Sequence, residues 1–223
     1  MAISRSVDHK PVSVAEAQLA RIAGEGCARH SYLKSLTDAS SQHSGRDLAD
    51  ATHLLCSLHG RYPGLIEIAL QQSQPGEARS WLTQASDAFE RERLNLVRLT
   101  ASVGPIPSTP GAGETETSLL SARHALETLA TSERSGCALG AATALVGDWA
   151  PIRRMLDRVA ARAGLEILPS TLPNEDEILS IIDRASEGPA SDRALAFGGE
   201  QLLLQHRALF DLLEARAEAR GDF

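Results

Sequence analysis

Apolar residues return every three or four positions over most of the chain, which is the spacing of an α-helix. No run of β-branched residues alternates with polar ones, as a half-buried strand would require. The pattern therefore predicts an all-α protein. Ser13 and Glu16 are spaced as a capping box for a first helix over residues 13–23, and a Ser-rich loop is predicted over residues 37–45.

Four long helices are predicted beyond this loop, and four long helices joined by loops are typical of a bundle. They cover residues 46–73 (with a break before Pro63), 77–103, 115–146 and 191–220. Two shorter helices are predicted over residues 148–164, recapped by Asp148 and Pro151, and over residues 175–187, capped by Asn174. We divide the chain into an N-terminal helix and loop (residues 1–45) and a helical-bundle domain (residues 46–223).

Composition narrows the possible functions. Hydrophobic residues make up 43% of the chain, as in folded globular proteins, and the net charge of −7 argues against a nucleic-acid-binding protein. The three cysteines are an odd number without a CxxC pair, so neither a disulfide framework nor a cysteine zinc site is predicted. The N-terminus lacks the apolar core of a signal peptide and no run is long enough to cross a membrane, so we expect a cytoplasmic protein.

Ionisable residues interrupt the apolar stripe of each long helix. Glu92 follows Phe89 by three positions, Glu133 occupies the matching gap in the predicted 115–146 helix, and His206 lies within the apolar face of the last helix. His59 lies on or beside the apolar stripe of the predicted 46–73 helix. Because an unpaired buried charge costs several kcal/mol, we expect these side chains to be one another's partners, with Arg93 and Arg134 as nearby counter-charges.

The order of these residues resembles the ligand pattern of ferritin-like di-iron bundles, in which successive helices carry Glu, ExxH, Glu and ExxH. The corresponding positions here are His59 or Glu67, Glu92 with Asn95, Glu133, and Leu203 with His206. The resemblance implies a ferritin-like up-down helical bundle with additional short helices. Asn95 and Leu203 stand where the family has metal ligands, so a two-metal centre is not expected.

Two functions remain open. The first is a non-catalytic interaction or structural module whose Glu92, Glu133 and His206 form a metal-free hydrogen-bonded cluster that fixes the bundle register. The alternative is a ferritin-like metal-binding protein or oxidoreductase that holds a single Fe, Mn or Zn with the same three residues. No catalytic residue or organic cofactor is predicted, and the sequence leaves enzymatic activity undecided.

Other patterns suggest weaker candidates. His124 and Glu127, at i, i+3 spacing, are expected on a solvated face, and the His53 and Cys56 pair lacks a third orienting group for nucleophilic chemistry. The small residues of the 136–147 segment permit close helix contact. That contact is either within the chain or in a homodimer, which is the predicted assembly.

Overall fold

The computed structural model describes residues 12–38, 40 and 45–221, and within these ranges it is all-helical, as predicted. One short 3₁₀ helix spans Cys27–Arg29. The α-helices are α1 (Val14–Glu25), α2 (Ser31–Thr37), α3 (Gly45–His59), α4 (Leu65–Gln72), α5 (Glu77–Ser102), α6 (Ala112–Ala130), α7 (Cys137–Arg162), α8 (Glu175–Ala185) and α9 (Pro189–Arg220).

Two helix starts predicted from capping residues, at Ser13 and Asn174, are confirmed. The Ser13 hydroxyl accepts a hydrogen bond from the Glu16 amide at 3.1 Å, and the Glu16 carboxylate accepts one from the Ser13 amide at 2.9 Å. Asn174 and Glu177 form the same reciprocal pair at the start of α8. These bonds satisfy amides that the first helical turn leaves without partners. Much of the predicted 37–45 loop lies outside the described residues.

The predicted helix over residues 115–146 is wrong, because the chain turns between α6 and α7. Gly136 has a φ of +94°, in the left-handed region where glycine avoids the strain of a side chain. A Cβ there would also lie 3.0 Å from the Ser191 carbonyl oxygen on α9. The turn places Glu133 in an exposed connection instead of in a helical stripe.

The predicted break at Asp148 and Pro151 is also wrong. Pro151 lies inside α7, which continues without interruption to Arg162. Proline removes one helical hydrogen bond, but Trp149, Ile152 and Met155 on either side of it are buried in the core. Tertiary burial thus keeps residues on both sides of the proline in one helix.

Helices α3, α5, α7 and α9 surround the centre of the core, with α1, α2, α4, α6 and α8 packed around them. The closest pair is α7 and α9. A Cβ on Gly140 would meet the Leu195 carbonyl oxygen at 2.1 Å, and one on Gly198 would meet that of Cys137 at 2.0 Å. The small-residue segment of α7 therefore makes an intramolecular contact, which was one of its two predicted roles.

The N-terminal helices share this core. Ile22 of α1 and Leu33 of α2 belong to the same cluster of buried apolar side chains as the long helices. Arg158 of α7 also donates a hydrogen bond to the Leu36 carbonyl oxygen at 2.6 Å. Within the described ranges, every helix falls short of the length or the apolar character required to cross a membrane.

Candidate functional site

Each of the four central helices contributes one buried ionisable residue to the middle of the core. They are His59 at the end of α3, Glu92 on α5, Asp148 on α7 and His206 on α9. Glu92 and His206 are buried, as predicted from their stripes. Asp148 was not among the predicted site residues.

Asp148 and His206 form a fully buried pair. The His206 Nδ1 atom lies 2.8 Å from Asp148 Oδ2, and the other carboxylate oxygen accepts the Cys27 amide at 2.8 Å. The close packing is visible at Gly26, where a Cβ would lie 2.3 Å from Asp148 Oδ1. Asp148 therefore joins the N-terminal segment to α9 through α7.

His59 extends the Asp148 and His206 pair. Its Nε2 atom lies 3.1 Å from His206 Nε2, and its ring makes an edge contact with Trp149 at a centroid distance of 5.4 Å. Burial lowers the pKa of His59 well below its ordinary value, and the nearby His206 and Arg93 lower it further. His59 is therefore neutral at neutral pH.

The hydrogen bonds among Asp148, His206 and His59 determine which ring nitrogens carry a proton. An ionised Asp148 can only accept, so His206 Nδ1 donates to it. When His206 is neutral, its Nε2 accepts the Nε2 proton of His59, which leaves Nδ1 of His59 as an acceptor. When His206 is charged, the direction reverses and His59 Nδ1 carries the proton. In the described part of the chain, His59 Nδ1 has no hydrogen-bond partner.

Glu92 belongs to a separate network, in which its hydrogen-bond partners are Trp149, Arg153 and Ser170. Its carboxylate accepts bonds from Arg153 Nη1 at 2.7 and 2.8 Å, from Trp149 Nε1 at 3.1 Å and from the Ser170 hydroxyl at 2.8 Å. Burial by itself lowers the pKa of Arg153, but Asp157 and Glu92 together hold it above its ordinary value. The guanidinium thus remains charged beside Glu92.

The prediction that Arg93 and Arg134 are the counter-charges of the cluster is therefore wrong. Arg93 pairs with Glu67 at 2.8 Å and with Glu90, instead of with Glu92. Arg134 is exposed and lies over the Phe197 ring. Neighbouring positions on a helix point about 100° apart, so a residue adjacent in sequence to Glu92 cannot share its direction.

The prediction that Glu133 joins Glu92 and His206 is wrong. Glu133 is exposed in the α6–α7 turn, before the first residue of α7. His206 contacts Asp148, which lies eleven residues beyond Cys137 and hence about 16 Å further along α7. The two predicted ligands that remain buried belong to different networks.

Another group of potential metal ligands is present around His206. One ligand atom each from Cys27, Asp148 and His206 lies within 4.8 Å of the others, and all three residues are buried. Burial and the adjacent Asp148 raise the pKa of the Cys27 thiol well above its ordinary value. The thiol is therefore protonated in the metal-free protein.

Two cavities lie at the ends of the row of hydrogen-bonded residues Cys27, Asp148, His206 and His59. Cys27 lines a cavity of about 230 Å³ beside α2, together with Leu33, Thr37 and Pro151. His59 lines another, of about 200 Å³, between α4 and α6. The chain from Cys27 through Asp148 and His206 to His59 therefore connects the walls of two cavities.

A second buried network lies elsewhere in the core. Asp50 of α3 pairs with Arg216 of α9 at 2.7 Å, and Arg216 donates to the Thr109 and Thr115 hydroxyls at 3.2 and 2.8 Å. Arg220 also pairs with Asp50, at 2.5 Å. This network attaches the segment between α5 and α6 to the core.

The weaker sequence candidates do not form a site. His124 and Glu127 are both exposed, as expected for a solvated face. His53 is hydrogen-bonded to the Gly104 carbonyl oxygen at 2.8 Å, and Cys56 is half-buried as a free thiol.

Comparison with known proteins places the chain in a family. No curated protein and no solved structure gives a match. Residues 22–221 match the model of a family described as a family of unknown function (DUF6975). This match includes all four central helices and every residue of the buried networks. The chain therefore belongs to this family.

Proposed function

We propose that this chain is a non-catalytic interaction or structural module, built on a ferritin-like helical bundle that lacks a full metal site. The observation that carries the proposal is the contact of Arg153 with Glu92. The Arg153 guanidinium contacts both carboxylate oxygens, where a ferritin-like protein would hold a metal cation.

The neighbours of Glu92 support this interpretation. Four hydrogen bonds reach its two oxygens, which is about the full acceptor capacity of a carboxylate. Asn95, at the position of a family histidine, accepts a bond from Arg98 at 3.0 Å, and Leu203, at the position of a family glutamate, is buried and apolar. A cation at Glu92 would have to displace the Arg153 guanidinium, which Asp157 and the Leu168 carbonyl oxygen also hold in place.

In this proposal the polar networks specify how the central helices pack. A buried charge finds its partner in only one relative position of two helices, so a shifted bundle leaves both charges unpaired. Glu92 fixes α5 against α7, Asp148 fixes α7 against α9, and Asp50 fixes α3 against α9.

Elemental analysis tests the proposal. The full chain is purified without a chelator, and Fe, Mn and Zn are measured for the native protein, for Glu92→Gln and for the surface variant Glu77→Gln. We expect well below stoichiometric metal in all three. Stoichiometric metal that is retained in Glu77→Gln and lost in Glu92→Gln would contradict the proposal.

A second candidate function, binding of a single metal ion, is favoured by the Cys27, Asp148 and His206 group. Thiolate, carboxylate and imidazole are all ligands of Zn²⁺. Equilibrium dialysis against Zn²⁺ tests it with Cys27→Ser as the site variant and Cys137→Ser as a control at another buried thiol. Loss of one bound equivalent in Cys27→Ser alone would support this candidate.

We further propose that the protein acts in the cytoplasm as a homodimer. The three cysteines are free thiols, in keeping with a reducing compartment. Leu94 and Val97 lie three positions apart on α5 and are 61% and 49% exposed, which offers apolar contacts to a second copy. Light scattering at micromolar concentration checks the assembly, and the monomer mass of 23.8 kDa would contradict it.

A further inference from the structure

The cavity beside His59 has apolar and polar walls in about equal share. Helices α3 to α7 and the α3–α4 connection form it, and its apolar lining includes Leu58, Leu65, Ile66, Phe89, Leu126 and Leu145. Its volume is about 200 Å³. A cavity of about 150 Å³ in another protein holds benzene, so this one has room for a single aromatic ring with a small substituent.

The charged side chains of the cavity are mainly basic. Arg61 and Arg123 line it together with Glu127 and Tyr62. The Nε of Arg123 donates to the Ser57 carbonyl oxygen at 2.8 Å, which anchors this half-buried side chain against α3. An anchored guanidinium at a partly apolar cavity favours an anionic ligand.

His59 supplies the second polar group. It is 94% buried, lines the cavity, and has an Nδ1 atom without a partner in the described part of the chain. Nδ1 is not one of the fully buried side-chain atoms that lack a partner, so it is accessible from the cavity. A ligand in the cavity can therefore hydrogen-bond to it.

We propose that this cavity binds a small aromatic monocarboxylic acid, with the carboxyl group between His59 Nδ1 and Arg123. This site goes beyond the proposed structural function and does not depend on the Arg153 contact with Glu92. The ligand needs an apolar ring for the walls and one acidic group for the two basic side chains.

The bound carboxylate selects one tautomer of His59. A carboxylate accepts a hydrogen bond from His59 Nδ1 only when that nitrogen carries the proton, and Nε2 of His59 then accepts from His206 Nε2. Because His206 Nδ1 faces Asp148 at 2.8 Å, the pair of His206 and Asp148 then holds one proton more than before binding. Benzoate has no O–H bond at neutral pH, so this proton comes from water, and His59 stays neutral before and after binding.

Benzoate is the probe for this site, and benzylammonium, of similar shape but opposite charge, is its control. Binding to the full chain is measured by calorimetry, and the histidine ring nitrogens are observed by ¹⁵N NMR. We expect saturable benzoate binding that shifts the His59 ring signals and leaves those of exposed His124 unchanged. No detectable binding up to about 10 mM benzoate, or equal binding of benzylammonium, would overturn the proposal.

Matched variants locate the bound carboxylate. Arg123→Gln removes the anchored charge and should weaken benzoate binding about tenfold, whereas Arg91→Gln, an exposed arginine of α5, should change it less than about twofold. His59→Asn should weaken binding by about tenfold or more in a variant that circular dichroism shows to be folded. Benzoate affinity that is the same in the native protein and in Arg123→Gln would overturn the proposed position even if His59→Asn fails to fold.

Discussion

Nε2 of His59 and Nε2 of His206 face each other at 3.1 Å in the buried core, so a single proton lies between the two rings. Asp148 fixes the outer proton of His206, and this determines which nitrogens of the pair can donate or accept. A change of charge on His206 therefore reverses the hydrogen bond between the two rings and changes whether His59 Nδ1 carries a proton.

The low pKa of His59 predicts that the protein loses stability in acid. The folded state holds His59 neutral, whereas the unfolded chain protonates it below the ordinary pKa of 6.5, so the unfolded state binds the additional proton. The free energy of unfolding should fall as the pH decreases below 6.5, by up to about 1.4 kcal/mol per pH unit from this residue. Urea denaturation at a series of pH values measures the slope.

Two variants isolate the contribution of His59. His59→Asn should show a smaller slope between the ordinary pKa of 6.5 and the lower pKa of the folded state. His124→Asn, which changes an exposed histidine, should retain the native slope. An unchanged slope in His59→Asn would mean that other groups cause the acid sensitivity.

Arg153→Met should destabilise the protein strongly, because it leaves the Glu92 carboxylate buried without its cation. We expect a loss of about 3–5 kcal/mol in the free energy of unfolding. The double variant Glu92→Leu with Arg153→Met should recover much of this loss, because it removes both charges. Arg184→Met, which breaks an exposed pair with Glu77, should cost at most about 1 kcal/mol.

Gly140→Ala should destabilise the contact between α7 and α9. The new methyl group would lie 2.1 Å from the Leu195 carbonyl oxygen, so the two helices must move apart, at a cost of about 1–3 kcal/mol or more. Gly113→Ala on α6 is the matched control, because its Cβ meets no atom within 4 Å. Thermal melts should show a lower midpoint for Gly140→Ala and an unchanged or higher one for Gly113→Ala.

Arg216→Met should loosen the segment between α5 and α6. This change removes the hydrogen bonds from Arg216 to Thr109 and Thr115 and leaves Arg220 as the partner of Asp50 and as a donor to Thr109 at 3.1 Å. Hydrogen exchange of amides in residues 103–115 should become faster than in the native protein, while α8 amides should keep their rates. Equal protection of the 103–115 amides in both proteins would show that Arg216 does not hold this segment.

Local signals in the sequence were sufficient for the helical class and for two of the helix starts. The periodicity of apolar residues identified the all-α class, and the Ser13 and Asn174 capping boxes identified two helix starts that the structure confirms. The same periodicity placed Glu92 and His206 inside the core. These features depend on residues within a few positions of each other, where hydrogen bonding and side-chain direction follow directly from sequence spacing.

The residues of the candidate site and their partners could be identified only from the tertiary structure. Reading α7 as broken at Asp148 removed that residue from its stripe, although the unbroken helix places it four positions after Ala144 and four before Ile152, both buried. The turn at Gly136 moved Glu133 out of the core, and Arg153 was recognisable as the partner of Glu92 only once α5 and α7 were side by side. Periodicity determines which face of a helix is buried, but the partner of a buried charge comes from another helix, and only the packing of the whole bundle determines which one.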